Sequence, residues 1–108
     1  MPNLEDFLKE TGEAGKDLII AEVKELILST RTETTQVIKE TGELVEQCLY
    51  KLLNDEIDEE DFKDIMATRK RTVQQFLNSQ QIEKRARLEK LSIALIDLVT
   101  DKLLDVVI

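Results

Sequence analysis

Residues 54–62 read Asn-Asp-Glu-Ile-Asp-Glu-Glu-Asp-Phe, and this stretch decides how the chain folds. Its first three residues interrupt a long apolar periodicity, which predicts a turn over 54–58. Asp58 can then cap a new helix, with Ile57 before it and Phe62 at the fourth helical position, the pair of a hydrophobic staple. The three acids after Asp58 lie at the positive end of the helix dipole. We therefore expect a helix to begin at residue 58 or 59.

Before this turn, residues 16–53 contain no Pro and one glycine, Gly42. Small or apolar residues recur there at alternating spacings of three and four, the pattern of a heptad seam. The members of this seam are Ile20, Val23, Ile27, Thr30, Thr34, Val37, Thr41, Leu44 and Cys48. The pattern predicts one helix over 16–53, about 57 Å long at 1.5 Å per residue. Residues 3–11 predict a short N-terminal helix, for which Asn3 can act as the cap.

After the turn, residues 59–107 contain neither Gly nor Pro, which predicts a second long helix. Its middle is polar, so an interruption near 78–82 remains open. Toward its end the apolar arc is too wide for one neighbouring helix to cover. We therefore expect a self-association surface made of Leu88, Leu91, Leu95, Ile96, Val99, Leu103 and Val107.

A hairpin centred on residue 56 brings the polar middles of the two halves together, since the Thr-rich stretch 29–36 then faces 76–83. The sequence thus predicts an all-α protein, a single helical domain over residues 1–108. We expect a long antiparallel helical hairpin that completes a four-helix bundle by homodimerisation. The alternative is a monomeric four-helix bundle, in which each polar stretch is a loop. Average helix length favours the alternative, and the absence of Gly and Pro favours the hairpin.

Composition excludes several classes of function. The chain has 108 residues and no His, which removes most metal sites and His-based acid–base catalysis. One cysteine, Cys48, rules out an intramolecular disulfide, and the polar N-terminus does not resemble a signal peptide, so we expect a cytoplasmic protein. The apolar stretch 91–108 contains four charged residues, so no membrane span is expected there.

Charge is unevenly distributed along the chain. The net charge of −8 makes nucleic acid an unlikely partner. Residues 54–64 contain seven acids and one Lys, whereas 69–90 contain seven basic residues and two acids. The basic stretch predicts a patch that faces a partner protein, made of Arg69, Lys70, Arg71, Lys84, Arg85 and Arg87.

Two pairs of carboxylates are the strongest sign of chemistry. Glu40 and Glu43 are one helical turn apart, as are Asp61 and Asp64 in the next helix. With the context Lys-Glu-Thr-Gly-Glu-Leu-Val-Glu at 39–46, this order resembles the all-α nucleoside triphosphate pyrophosphohydrolases. The resemblance implies that the four carboxylates bind magnesium over a triphosphate. A solvated charged helix face explains the same residues without a metal.

The sequence favours a small helical protein–protein interaction factor, with a role in assembly or regulation and with no cofactor. We expect it to act as a homo-oligomer that also binds a second, unidentified protein. The alternative is a magnesium-dependent, pyrophosphohydrolase-like enzyme.

Overall fold

The computed structural model describes the backbone of residues 14–104 and the side chains of residues 19–104. Four α-helices make up this part of the chain, which contains no strand. They are α1 (Ala14–Arg31), α2 (Gln36–Leu53), α3 (Glu59–Asn78) and α4 (Ile82–Leu98), the last continued by a π-helical turn at Val99–Leu103. The all-α prediction is confirmed, whereas the helix predicted for 3–11 lies outside the described residues.

The four helices pack together within one chain. Helices α2 and α4 contact each other, and both also contact α1 and α3. Helix α1 therefore lies on one side of the α2–α4 pair and α3 on the other. The interior is built from the apolar stripe of every helix, with fully buried side chains such as Val23, Ile38, Leu49, Phe62, Met66, Leu88, Leu95 and Ile96.

The turn at 54–58 has the predicted position and is fixed by backbone geometry. Asp55 has a φ of 60°, the left-handed conformation that usually belongs to Gly after a helix. Its amide donates to the Leu52 carbonyl at 3.2 Å, and the Glu56 amide donates to the Lys51 carbonyl at 2.8 Å. These two bonds form a Schellman motif, which satisfies carbonyls at the end of α2.

Helix α3 begins at Glu59, as the sequence predicts, with Asp58 as its N-cap. The Asp61 amide donates to the Asp58 carboxylate at 2.7 Å, and the Asp58 amide donates back to the Asp61 carboxylate at 3.3 Å. This reciprocal pair is a capping box. Phe62, the fourth helical residue, is fully buried, and Ile57 packs against the core.

The single helix predicted for 16–53 is wrong, because the chain reverses at residues 32–35, which we call the hinge. The reversal lets α1 bury Ile20, Val23 and Ile27 against its own chain. Each Thr lowers the stability of a helix by only a few tenths of a kcal/mol relative to Ala, so the Thr-rich segment does not itself decide between a helix and a loop. Burial of one Val- or Ile-sized side chain contributes about 1.5–3 kcal/mol, which outweighs the helix propensity of the Thr residues.

Close approach of α1 and α2 depends on Gly42. A Cβ placed at Gly42 would overlap Thr30 Oγ1 and lie 2.9 Å from Thr30 Cβ. Thr30 is fully buried, and its hydroxyl donates to the Ile27 carbonyl at 2.7 Å. The one glycine in α2 is therefore where a side chain of α1 enters.

The second long helix is interrupted at 79–81, within the 78–82 region that the sequence left open. The Ser79 hydroxyl donates to the Phe76 carbonyl at 2.8 Å and ends α3. With both breaks, the two-helix hairpin is wrong and the alternative architecture, four helices from one chain, is what the structure has. Because a short loop divides each of the two predicted long helices, the chain folds back on itself and its own helices cover the wide apolar face of α4.

Candidate functional site

An open groove of about 390 Å³ runs between α2 and α3. Its apolar surface comes from Leu44 on α2 and Ile65 on α3, both half-buried. Thr68 and Thr72 form its outer wall and are exposed. Leu44 belongs to the predicted heptad seam, but the structure buries its neighbour Val45 completely and leaves Leu44 at the groove.

Arg69 crosses one end of this groove and ties α3 to α2. Its Nε donates to Thr41 Oγ1 at 2.9 Å, and its Nη2 donates to the Val37 carbonyl at 2.9 Å. The Arg69 Nη2 lies 3.9 Å from Glu40 Oε2, and 19% of the Arg69 side chain is exposed. The planar guanidinium thus forms two hydrogen bonds at once, so this end of the groove has a fixed shape.

Three carboxylates lie in or beside the groove, in addition to Arg69. Asp64 lines it directly. Glu40 precedes Leu44 by one helical turn, and Asp61 precedes Ile65 by one turn, so both acids lie on the groove side of their helices. All three carboxylates are on exposed residues. The groove is therefore apolar at its base and acidic at its edges.

The predicted magnesium ligands do not come together as a set. Among side chains 19–104, no three His, Cys, Asp or Glu residues are close enough to hold a metal ion. Glu40 is opposite Arg69, which is eight residues, or about 12 Å, along α3 from Asp61. The Asp61 carboxylate is in addition occupied by the capping box. Glu43 and Asp64 are exposed on separate helices, so the structure does not bring the four predicted carboxylates together at one site.

The predicted self-association surface lies inside the bundle. Five of its seven residues are buried in one chain, namely Leu88, Leu95, Ile96, Val99 and Leu103. Leu91 is half-buried, and Val107 lies outside the described residues. The arc is wide because α4 contacts three helices, and all three belong to the same chain. The five buried side chains are therefore not available to a second copy in this fold.

The predicted basic patch is divided among different contacts. Arg69 faces α2, whereas Lys70 donates to Asp97 of α4 at 2.7 Å. Arg87 donates to Glu33 of the hinge, also at 2.7 Å. The other three members remain exposed or half-exposed, namely Arg71, Lys84 and Arg85. Half of the patch therefore makes contacts within the bundle, although 56% of the Arg87 side chain remains exposed.

Cys48 is a free thiol in the core. Burial raises the pKa of the Cys48 thiol above its ordinary value, and the nearby charge of Lys51 opposes this shift. A buried thiol with a raised pKa is a weak nucleophile, so this cysteine contributes packing.

No protein family matches this chain, and neither a curated protein nor a solved structure with significant similarity to it was found. Within residues 14–104, no helix is long and apolar enough to cross a membrane.

Proposed function

We propose that the protein is a cytoplasmic helical interaction factor that acts by binding and not by catalysis. Its binding surface is the α2–α3 groove, and its partner is an amphipathic helix of another protein. One observation carries this proposal: Leu44 and Ile65, both half-buried, line an open groove between two packed helices. A groove parallel to two helices suits the apolar face of a third.

The charges around the groove define the chemistry of the partner. The carboxylates of Glu40, Asp61 and Asp64 favour a helix with Lys or Arg beside its apolar residues. Such exposed pairs contribute more to association rate and specificity than to affinity. Binding should therefore weaken as salt is added, while the apolar contact persists.

Self-association also remains part of the proposal, although its location changes. Because the apolar face of α4 is buried, a second copy has to meet the chain at another surface or by exchange of a helix. Among side chains 19–104, no three acidic or other metal-binding residues lie close enough to hold a metal ion, so the proposal is not based on the enzyme alternative.

The test is an NMR titration of isotope-labelled protein with a synthetic amphipathic helical peptide. The peptide has Leu on one face and Lys beside it, and a matched peptide has Glu in place of Lys. We expect saturable shifts clustered at Leu44, Ile65, Thr68 and Thr72 with the Lys peptide, and weaker ones with the Glu peptide. Shifts spread over the whole bundle, or equal shifts with both peptides, would contradict the proposed site.

A pair of variants separates the groove from general stickiness. Thr68→Arg places bulk and positive charge in the groove at an exposed position. Leu28→Arg makes a similar change on α1, where Leu28 is 63% exposed. We expect Thr68→Arg to weaken Lys-peptide binding about tenfold, which corresponds to about 1.4 kcal/mol, and Leu28→Arg to leave it unchanged. Equal losses in both variants would show that the peptide binds elsewhere.

A further inference from the structure

We infer that two copies of this chain exchange α1 by straightening of the hinge. In the exchanged dimer α1 and α2 form one continuous helix, and each α1 packs on α2 and α4 of the other copy. The partner is a second copy of this chain, and the surface it occupies is the one α1 covers in the monomer. The inference is independent of the α2–α3 groove.

The hinge contains nothing that requires a bend. It has no Gly or Pro. Of the residues that the structure describes, Asp55 has a positive φ and none of the four hinge residues does. The turn at 54–58 differs, since a Schellman motif and a capping box both hold it. A short connection between packed elements is a common site of exchange between copies.

The buried stripes of α1 and α2 are in register across the hinge. With Thr34, which is exposed in the monomer, placed between them, the buried positions of α1 and α2 form one series at spacings of three and four. They are Ile20, Val23, Ile27 and Thr30, then Ile38, Thr41, Val45, Cys48 and Leu52. In a continuous helix these residues share one face. Straightening therefore keeps both stripes directed toward a bundle.

Exchange leaves the contacts of α1 unchanged in kind. Helix α1 packs on α2, α4 and the π-helical turn, so its removal leaves α2, α3 and α4 in contact with one another. The Thr30–Gly42 contact forms again between copies, with each Thr30 facing the other copy's Gly42. A reciprocal contact of this kind is what a two-fold axis requires. By contrast, exchange at residues 79–81 would withdraw α4, which fills the centre of the bundle.

The monomer and the dimer differ mainly at the hinge. The N-cap of α2, Thr35, forms no side-chain cap hydrogen bond. A continuous helix supplies the first amides of α2 with carbonyls from the preceding turn. The monomer gains the ion pair between Arg87 and Glu33, whose carboxylate side chain is only 9% exposed. The missing cap and the ion pair both lie at the hinge, so substitutions there should shift the equilibrium between monomer and dimer without altering the core.

Gln36→Pro blocks the dimer selectively. Position 36 is the first residue of α2, where Pro is well tolerated, and Thr35 before it is extended with a ψ of 114°. In a continuous helix the same Pro removes a hydrogen bond and collides with the preceding turn. Gln36→Ala is the matched control, because it removes the same side chain and keeps the amide.

The reverse change is the triple variant Thr32→Ala, Thr34→Ala and Thr35→Ala, which raises the helix propensity of the hinge. Each protein is concentrated, incubated near its unfolding midpoint, cooled and measured by light scattering and small-angle X-ray scattering. We expect a dimer whose fraction rises several-fold in the triple variant, is absent in Gln36→Pro and is unchanged in Gln36→Ala. Its longest dimension should accommodate a helix over residues 14–53, about 60 Å long.

Two results would overturn the inference. One is a triple variant that stays monomeric at every concentration. The other is a dimer that forms as well in Gln36→Pro as in Gln36→Ala, because such a dimer associates through its surface and keeps the hinge bent. Circular dichroism confirms that each variant is folded, and the triple variant decides the matter should Gln36→Pro not fold.

Discussion

Substitution of Gly42 by Ala tests the packing of α1 on α2 with a single methyl group. On an exposed helix face this change stabilises by about 1 kcal/mol, because Ala is the better helix former. At Gly42 the new Cβ overlaps Thr30 Oγ1 and lies 2.9 Å from Thr30 Cβ. The Thr30 Cβ is attached to the backbone, so side-chain rotation alone does not relieve the overlap and α1 has to move.

Overpacking of this kind costs about 1–3 kcal/mol, and a fixed neighbour places Gly42→Ala at or above the upper end. After the gain in propensity is subtracted, we expect a net loss of about 2 kcal/mol. For a domain of this size that corresponds to a fall in Tm of roughly 10 °C. Urea unfolding followed by circular dichroism gives the free energy, and a thermal melt gives the Tm.

Two further variants make the measurement decisive. Gln47→Ala, at an exposed position of the same helix, should change stability by less than about 0.5 kcal/mol. Thr30→Ala removes the overlapping hydroxyl, so combining it with Gly42→Ala should recover at least about 1 kcal/mol in a double-mutant cycle. If Gly42→Ala stabilises the protein, or if the two changes are additive, α1 does not pack against α2 at Gly42.

Four other predictions follow from contacts described above. Asp58→Ala should lower the free energy of unfolding by about 1 kcal/mol in urea titrations, because the cap of α3 is lost, and Asp58→Asn should retain most of it. Asp55→Gly should raise the unfolding free energy by up to about 1 kcal/mol in the same titration, because Gly adopts a φ of 60° without strain. Arg69→Met should lower the free energy of unfolding by about 1–3 kcal/mol. Arg69→Lys should recover only part of this loss, because an ammonium cannot form both bonds to α2 in the guanidinium geometry. Equal stability of the wild type and both variants would contradict this. Burial raises the pKa of the Cys48 thiol, so the thiol ionises at a lower pH in the unfolded protein than in the folded one. The free energy of unfolding relative to Cys48→Ala should therefore fall as the pH rises above the ordinary thiol pKa of 9.0, and a pH-independent difference would argue against burial.

The helical class and the central turn could be predicted from the sequence because both depend on neighbouring residues. Asp58, Ile57 and Phe62 form a cap and a staple within one helical turn, so their pattern can be read directly. The sequence left open an interruption near 78–82, where Asn78 and Ser79 have weak helix propensity, and α3 does end there.

The hinge could not be predicted in this way. Its Thr residues tolerate a helix and a bend almost equally, so the choice depends on what α1 buries after the chain reverses. The entry of Thr30 at Gly42 is a contact between residues twelve apart that only the folded helices bring together. The same limit applies to the groove. Leu44 and Val45 are both apolar, and only the rotation of α2 about its own axis decides which of them is covered.

The π-helical turn at Val99–Leu103 has a consequence for how the chain tolerates changes in length. Its backbone accommodates one residue more than an α-helical turn does. Deleting a residue from an ordinary α-helix rotates everything beyond by about 100° and turns buried side chains outward. Here we expect the deletion of Asp101, which is exposed, to convert the turn to regular α-helix and to leave Ile96 and Leu104 on the faces they already occupy. The C-terminal end of α4 is therefore a position where the chain can lose a residue and keep its interior.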